Sequence, residues 1–403
     1  MEKNNTPPKI QKRPGWIYTL LVLIVRPFAK LAFNLTYTGV KPKGPCILLS
    51  NHTSHPDFVF LAEMAFPEKI TFLASYHWFT FKKLSPILNM AGCIPKYQFA
   101  NDMMSIRRMK SVIDKNNGCV FIAPEGTIYA GGSLGYISPA IGKMIRFFRC
   151  PVYASKIEGA GLGNSKWTKR YHRGRVNVDT QLIITPEEAG KLSVEEILER
   201  INTSLQYNDF EFQKRMNVVV RGKDKLEGFD TMYYKCPCCG KEFFIKSHGN
   251  TVECTACGAK AELGDDFRFT WQGEKQYFDN YVEWYDWQLD QMKKAVSDPA
   301  FSLSEEVEYG VDVPGKNNYV KVGRGILTLD HTGWTYRGTL KGKEVEEHDE
   351  LEEVFLAVLK TGRHFELPFR NGHSRVFYPI ANPKTSMRWH LASRAITELY
   401  EKK

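Results

Sequence analysis

The sequence predicts an α/β layered domain over its first half, then a small cysteine-bearing ribbon and a β-rich domain closed by a helix. Three observations carry this reading. Short apolar runs alternate with longer amphipathic ones from Lys43 to about Leu205. Five of the nine cysteines crowd between Cys236 and Cys257. From about Ser302 the pattern changes to short strands separated by turn signals. At roughly 150 residues per domain, 403 residues make two to three units. The 43% hydrophobic and 25% charged content excludes both a disordered chain and a many-helix channel.

Taken in order, the N-terminus is basic (Lys3, Lys9, Lys12, Arg13) and leads into an apolar run, Trp16 to Val25, that Arg26 and Pro27 interrupt. Ten residues are too few to cross a bilayer as a helix, and no small-residue cleavage site follows. Residues 1–36 therefore read as a helical segment for interfacial or re-entrant membrane attachment, with an ordinary buried helix or a signal anchor as alternatives. Apolar runs then pair with amphipathic ones: Cys46 to Leu49 with Phe58 to Phe66, and Ile70 to Ala74 with Phe81 to Met90. A helix from about Asp102 to Asp114, a strand from Cys119 to Ala123, a helix near Ile141 to Phe148 and strands near Val152 to Ile157 and Gln181 to Thr185 complete residues 37–225. Continuous apolarity in most of these strands fits a sheet covered on both faces.

Residues 226–265 hold the cysteine ribbon, and 266–300 an aromatic-rich helical linker, with Phe269 to Val296 read as one helix whose aromatic stripe is a packing face. Residues 301–403 form the β-rich domain, with strands Gly325 to Leu329, Trp334 to Arg337, Glu353 to Leu359, Phe365 to Pro368 and Arg375 to Tyr378, and a helix from about Thr385 to Tyr400. It vaguely resembles a pleckstrin-homology-like module. Residues 1–225 carry 32 basic and 17 acidic side chains, and the remainder 23 and 28. The basic excess of the first half suits an anionic partner without choosing among phospholipid, nucleotide-bearing substrate, acidic carrier and nucleic acid.

The stretch from Ser50 to Asp57 (Ser-Asn-His-Thr-Ser-His-Pro-Asp) follows an apolar strand and precedes a helix. Five positions along a regular helix rotate a side chain through about 140°, so His52 and Asp57 cannot meet on one helix. A strand-to-helix corner lets the carboxylate fold back to one imidazole nitrogen and leave the other as a base. Otherwise Asp57 merely caps the helix and His52 is a loop residue.

This stretch resembles the first signature of the glycerolipid acyltransferases, Asn-His, four residues and Asp. Further matches stand in the family's order at Gly92-Cys93-Ile94-Pro95-Lys96, at Phe121-Ile122-Ala123-Pro124-Glu125-Gly126-Thr127, and at Pro151-Val152 with the strand after it. The resemblance covers roughly residues 30 to 210 and implies an acyltransferase domain. It implies that His52 removes the proton of an acceptor hydroxyl, which attacks an acyl thioester, while Asp57 fixes the tautomer. Glu125, Gly126, Thr127 and Lys96 would then contact substrate. The implied donor is acyl-CoA or acyl carrier protein, and the implied acceptor a lysophospholipid or related polar lipid at the cytoplasmic face of a membrane. Two departures concern the acceptor: Ile128 stands where the family usually has Arg, and its second block usually carries an Arg near Gln98. Lys96, Arg107, Arg108 or the run Lys166, Lys169, Arg170, Arg173 and Arg175 can supply the missing charge.

Competing motifs are present. Gly131-Gly132-Ser133-Leu134-Gly135 fits the nucleophile elbow of serine hydrolases, although no strand immediately precedes Ser133 and no helix immediately follows. Gly159 to Gly163 partly matches a dinucleotide loop, but Asn164 takes the sixth position. Cys236, Cys239, Cys254 and Cys257 form two Cys-x-x-Cys pairs separated by 14 residues, each followed by glycine, with a hairpin expected about Gly249-Asn250. They read as a structural zinc site with no open coordination position and Cys238 as a spare thiol. Ribbons often bind nucleic acid, but this one lies in the acidic half, which argues against that partner. A scaffold that keeps the fold without activity is the remaining alternative.

Overall fold

The computed structural model describes residues 15–401, except 130, 314–318, 355 and 371. Lys3, Lys9, Lys12 and Arg13 lie outside the described residues. Helix α1 (Gly15–Phe33) runs on through Pro27, beyond the point where the apolar run is interrupted. Val22 and Ala29, seven positions apart, are buried, whereas Leu20, Leu23, Ile24, Phe28 and Leu31 are exposed along the other side. Among the described residues no helix is long and apolar enough to cross a membrane.

The first sheet holds β1 (Leu35–Gly39), β2 (Cys46–Ser50), β3 (Ile70–Ser75), β4 (Ile94–Lys96), β5 (Cys119–Ile122), β6 (Val152–Glu158) and β7 (Val176–Ile184), in the order β1-β7-β6-β2-β5-β3-β4. Every pairing is parallel except β6 with β7. Every residue of β2 and β5, the central strands, is buried. One face of the sheet carries a core including Ile47, Leu49, Val120, Met109, Ile145 and Ile197. The other carries Leu48, Phe60, Leu61, Phe121 and Val178. Alternation of side chains along each strand sends neighbours to opposite cores, so a continuously apolar strand is required.

The helices of this half are α2 (Asp57–Ala65), α3 (Tyr76–Thr80), α4 (Ser85–Met90), α5 (Met103–Asn116), α6 (Ala140–Phe148), the single turn α7 (Ala160–Gly163), α8 (Pro186–Lys191), α9 (Val194–Leu205) and α10 (Asp209–Met216). The run Phe81 to Met90 is not one helix: Pro86 lies in the first turn of α4, where its missing N–H costs nothing, and Phe81 is the extended C-cap of α3. Strand β7 is longer than expected because its first five residues alternate buried and half-buried positions.

The ribbon is a four-stranded antiparallel sheet, β8 (Ile245–His248), β9 (Thr251–Cys254), β10 (Lys260–Leu263) and β11 (Phe269–Trp271). Residues 269–271 thus belong to the ribbon, correcting the single helix expected over Phe269 to Val296. The helix, α11 (Tyr281–Val296), starts where the Asn280 side chain accepts from the N–H groups of Val282 and Glu283. Its stripe of Tyr281, Trp284, Tyr285 and Leu289 is buried, as a packing face should be.

The last sheet is antiparallel throughout: β12 (Ser302–Val311), β13 (Val320–Asp330), β14 (Gly333–Leu340), β15 (Lys343–Asp349), β16 (Val358–Lys360), β17 (His364–Pro368) and β18 (Ser374–Pro379), in the order β15-β14-β13-β12-β18-β17-β16. Helix α12 (Ser386–Glu401) lays Trp389 against Phe365 and Trp334, with centroids 5.4 and 5.8 Å away. A single apolar cluster runs from Leu162, Trp167 and Phe212 through the ribbon and α11 to Trp389 and Ile396. The appended parts therefore share a core with the first half.

Candidate active site

In parallel sheets, ligands gather at the carboxyl ends of the strands. Strands β2 and β5 are adjacent and parallel, so their ends deliver Asn51-His52 and Pro124-Glu125 to the same edge. Asn51 is fully buried, and its amide bonds both backbone groups of Ile157 on β6, at 2.7 and 2.8 Å. It fixes the strand end from which His52 projects, a role the sequence reading did not assign.

Pro56 caps α2 and Asp57 opens it. The corner brings Asp57 Oδ2 to 3.0 Å from His52 Nδ1. The same oxygen accepts from the backbone N–H of Thr53 and Ser54 at 2.8 and 3.0 Å, and Oδ1 takes the Ser54 hydroxyl. Asp57 is 2% exposed and the His52 side chain 28%. A buried carboxylate fixed by several donors can hold one tautomer of the ring and leave Nε2 for another partner.

Glu125 is 3% exposed. Its Oε2 accepts the backbone N–H of His52 at 2.7 Å, and its Oε1 that of Gly135 at 2.6 Å. Burial pushes its carboxyl up to about 7, against the opposing effect of those two N–H groups. Glu125 is thus a strut between the His52 corner and the 131–135 loop, an arrangement different from a carboxylate presented freely to a substrate hydroxyl. Gly135, the last glycine of the elbow-like motif, must lack a Cβ, which would stand 2.7 Å from Glu125 Oε1. Ser133 pairs with Asn208 as an isolated bridge, and the next helix starts only at Ala140, so the strand–serine–helix corner of a hydrolase is not formed.

Gly126 adopts φ +68°, and a Cβ there would meet the Phe99 ring at 2.5 Å. Its carbonyl accepts from Gln98 Nε2 at 2.8 Å, and Thr127 follows half-buried. Lys96 ends β4, where its ammonium donates to the carbonyls of Tyr97 and Ala100 at 3.0 and 2.8 Å. Burial holds it below its usual pKa. Lys166 donates to the carbonyl of Ile128 at 2.7 Å and is lowered to about 7 by burial, then by the field of Lys360. Of the basic run, Lys166 reaches the Glu125 loop, whereas Arg170 is mostly exposed and pairs with Asp224.

Other supports come from residues the sequence did not mark. Asp209 takes the Tyr281 hydroxyl at 2.7 Å and the Gly159 N–H at 3.1 Å. Its backbone N–H bonds the Gly132 carbonyl at 2.8 Å, so the loop and α11 are joined through this one residue. Burial pushes this carboxyl up to about 7.

In the ribbon, the sulfurs of Cys236, Cys239, Cys254 and Cys257 all lie within 4.8 Å of one another. Cys236 and Cys257 sulfurs are 3.8 Å apart, and Cys239 and Cys254 sulfurs 3.9 Å. A tetrahedron with metal–sulfur bonds of about 2.3 Å has edges of roughly 3.8 Å, so the four thiolates fit such a metal. Cys238 stands outside the group.

A family model described as Acyltransferase matches residues 34–158. Among solved structures, the 1-acyl-sn-glycerophosphate (LPA) acyltransferase PlsC from Thermotoga maritima is similar at 16% identity and a TM-score of 0.40, over 48% of this chain and 80% of that one. No curated protein matches the chain. The matched segment, 34–158, is the one that carries the His52–Asp57 pair and the Glu125 strut.

Proposed function

We propose that the protein moves a fatty acyl group from a thioester, acyl-CoA or acyl carrier protein, to the hydroxyl of a lysophospholipid or related polar lipid. The observation that carries this reading is the 3.0 Å contact between His52 Nδ1 and an Asp57 carboxylate already fixed by its neighbours. His52 Nε2 takes the acceptor hydroxyl proton as the oxygen attacks the thioester carbonyl carbon. The tetrahedral intermediate collapses by breaking the carbon–sulfur bond, and the imidazolium returns the proton to the departing thiolate. Asp57 holds the tautomer and stabilises the imidazolium. A thioester needs no covalent acyl-enzyme, and positioned general-base catalysis supplies about 10²- to 10⁴-fold. Glu125, Gly126 and Thr127 shape the loop against which substrate lies, and Lys96 and Lys166 supply cations where the family's arginines are missing.

The enzyme works at the cytoplasmic face of a membrane, peripherally, through the exposed side of α1. Arg26 and Lys30 are less available to lipid than their positions suggest, since Glu63 lies 2.8 and 3.7 Å from them. Zinc is the metal that suits four cysteine thiolates, and with four ligands it serves the ribbon's structure. The test is purified protein incubated with labelled acyl donor and a panel of polar acceptors, read by mass. Absence of transfer to every acceptor, from either donor, would remove this reading.

A further inference from the structure

A cavity of about 860 Å³ lies between the first sheet and the last one. One wall comes from β3, α3 and the segment after β4, including Tyr76, His77, Lys96 and Gln98, and the other from the last sheet and its loops, including Asp312, Tyr319, Glu347, Glu366 and Arg375. Gln98 is also the residue that holds Gly126, so the cavity and the loop behind His52 share a wall. Clefts of this size between two parts of a protein are where small ligands are held, oriented by a few polar groups.

The charges in the two walls differ in kind. Arg375 is already neutralised, with Asp349 in contact and Glu347 at 3.6 Å. That leaves Lys96, with two of its three donors on carbonyls, as the cation of the first wall. Facing it are the carboxylates of Asp312 and Glu366. Glu366 is 6% exposed and takes the Tyr319 hydroxyl at 2.6 Å, which leaves a second oxygen as acceptor. Asp312 Oδ2 is 3.8 Å from His77 Nδ1, too far for a hydrogen bond. Both His77 Nδ1 and Asp312 Oδ1 are buried atoms with no hydrogen-bond partner among the described residues. A buried polar atom left without a partner is costly, so each wall offers the cavity a polar atom that the described residues do not satisfy. Around them stand Tyr76 stacked on Tyr97 at 4.3 Å and Tyr319 stacked on His77 at 4.8 Å, ring faces that favour a cation.

We propose that this cavity binds a zwitterionic, amine-bearing headgroup, its ammonium against Asp312 and Glu366 and its anionic group toward Lys96. The inference rests on the acyl-acceptor reading for its biological meaning: the last sheet selects the acceptor by the charge of its headgroup. A bare phosphomonoester satisfies Lys96 but brings its charge toward two carboxylates. A neutral polyol satisfies neither sign.

The test separates binding from turnover. Calorimetry on the full chain uses glycerophosphoethanolamine, free phosphoethanolamine, glycerol 3-phosphate and glycerol as probes. The first should bind at least about tenfold more tightly than glycerol 3-phosphate, and Asp312→Asn should shrink that ratio to about twofold or less. Equal binding of free phosphoethanolamine means the site reads the zwitterion alone; weaker binding means it also reads the glycerol. Either supports the proposal. Glu366→Gln is the second variant, and circular dichroism checks that each is folded. In parallel, acyl transfer is measured on lysolipids of one chain length with zwitterionic, anionic and neutral headgroups, and the zwitterionic one should be preferred in the wild type but not in Asp312→Asn. If the probe binds in an Asp312-dependent way and no acceptor is acylated, the acyltransferase reading fails while the site stands. If acceptors are acylated without headgroup preference and the probes bind equally or not at all, the site fails while the acyltransferase reading stands.

Discussion

The Arg394 guanidinium, on the last helix of the chain, donates to the hydroxyl of Tyr129, which follows the Glu125 loop 265 residues earlier. Tyr129 in turn gives its backbone N–H to the carbonyl of His52 at 2.9 Å. Arg394 also bonds Glu398, which takes Lys293 at 2.8 Å, so α11 and α12 together brace the corner that carries the proposed base. Removing the guanidinium leaves a buried tyrosine hydroxyl and a carboxylate short of partners. Arg394→Ala should lower unfolding free energy by about 2–4 kcal/mol in denaturant titration and reduce kcat more than KM. Arg394→Lys should recover stability better than it recovers kcat, because an ammonium cannot span the same two acceptors. Loss of stability with unchanged kcat would make the contact purely architectural.

His52→Ala should bring acyl transfer to background while circular dichroism stays that of the wild type. Asp57→Asn should lower turnover by roughly 10²- to 10⁴-fold, since an amide cannot hold the required tautomer and its NH₂ would face the Thr53 and Ser54 donors. Ser133→Ala should be nearly silent. Labelling of Ser133 by a serine-reactive probe together with loss of turnover in Ser133→Ala would replace this chemistry with a hydrolase's.

Glu125 makes stability depend on pH in a defined direction. Its carboxyl titrates at about 7 in the fold against an ordinary 4.5. The native state therefore holds the proton more tightly than the unfolded chain between those values. Its contribution is fully present below about pH 4.5 and is lost as pH rises through about 7, on the order of 3 kcal/mol. Asp209, also near 7, acts in the same sense. Comparison of wild type with Glu125→Gln by denaturant titration across this range should show a shallower slope in the variant. Parallel profiles would mean that the carboxyl titrates normally.

The fold classes were legible in the sequence because burial on two faces leaves continuous apolar strands and because cysteine spacing encodes a knuckle. The site was legible where chemistry concentrates in one stretch, Asn51 to Asp57. What the sequence hid is of two kinds. Strands β12 and β15 are rich in glutamate (Glu305, Glu306, Glu308; Glu344, Glu346, Glu347), so the alternation that marks a half-buried strand was disguised by charge. The supports of the site, Arg394 on Tyr129 and Tyr281 on Asp209, join residues distant in the chain, and no local pattern marks such pairs.

One zinc per chain is expected in freshly purified, reduced protein by elemental analysis. Cys239→Ser should remove it and expose residues of about 230 to 265 to proteolysis. The ribbon is tied to α11 by Gln288, which accepts from the N–H groups of Tyr234 and Lys235 at 2.9 and 3.0 Å. The loss should therefore propagate into the shared core as a lower Tm before it changes the chemistry at His52. Metal-free wild type with full stability would end the assignment.

The exposed side of α1 makes the last prediction. Leu20, Leu23, Ile24, Phe28 and Leu31 recur at helical spacing, and Phe28 and Leu31 are 70% and 68% exposed. On the opposite side Ala29 is buried, and Phe33 packs edge-on against Phe60 of α2 at 4.7 Å, so the helix is anchored and its outward stripe is left to solvent. A contiguous apolar stripe on an anchored helix fits the headgroup boundary of a bilayer. Wild-type protein should sediment with liposomes containing anionic phospholipid. Phe28→Asp with Leu31→Asp should weaken that association by about tenfold or more, since each replaces buried apolar area with a charge facing acyl chains. Activity on water-soluble, short-chain acceptors should be nearly unchanged, which separates membrane docking from damage to the site. Equal sedimentation of the double variant would place the membrane contact elsewhere on the molecule.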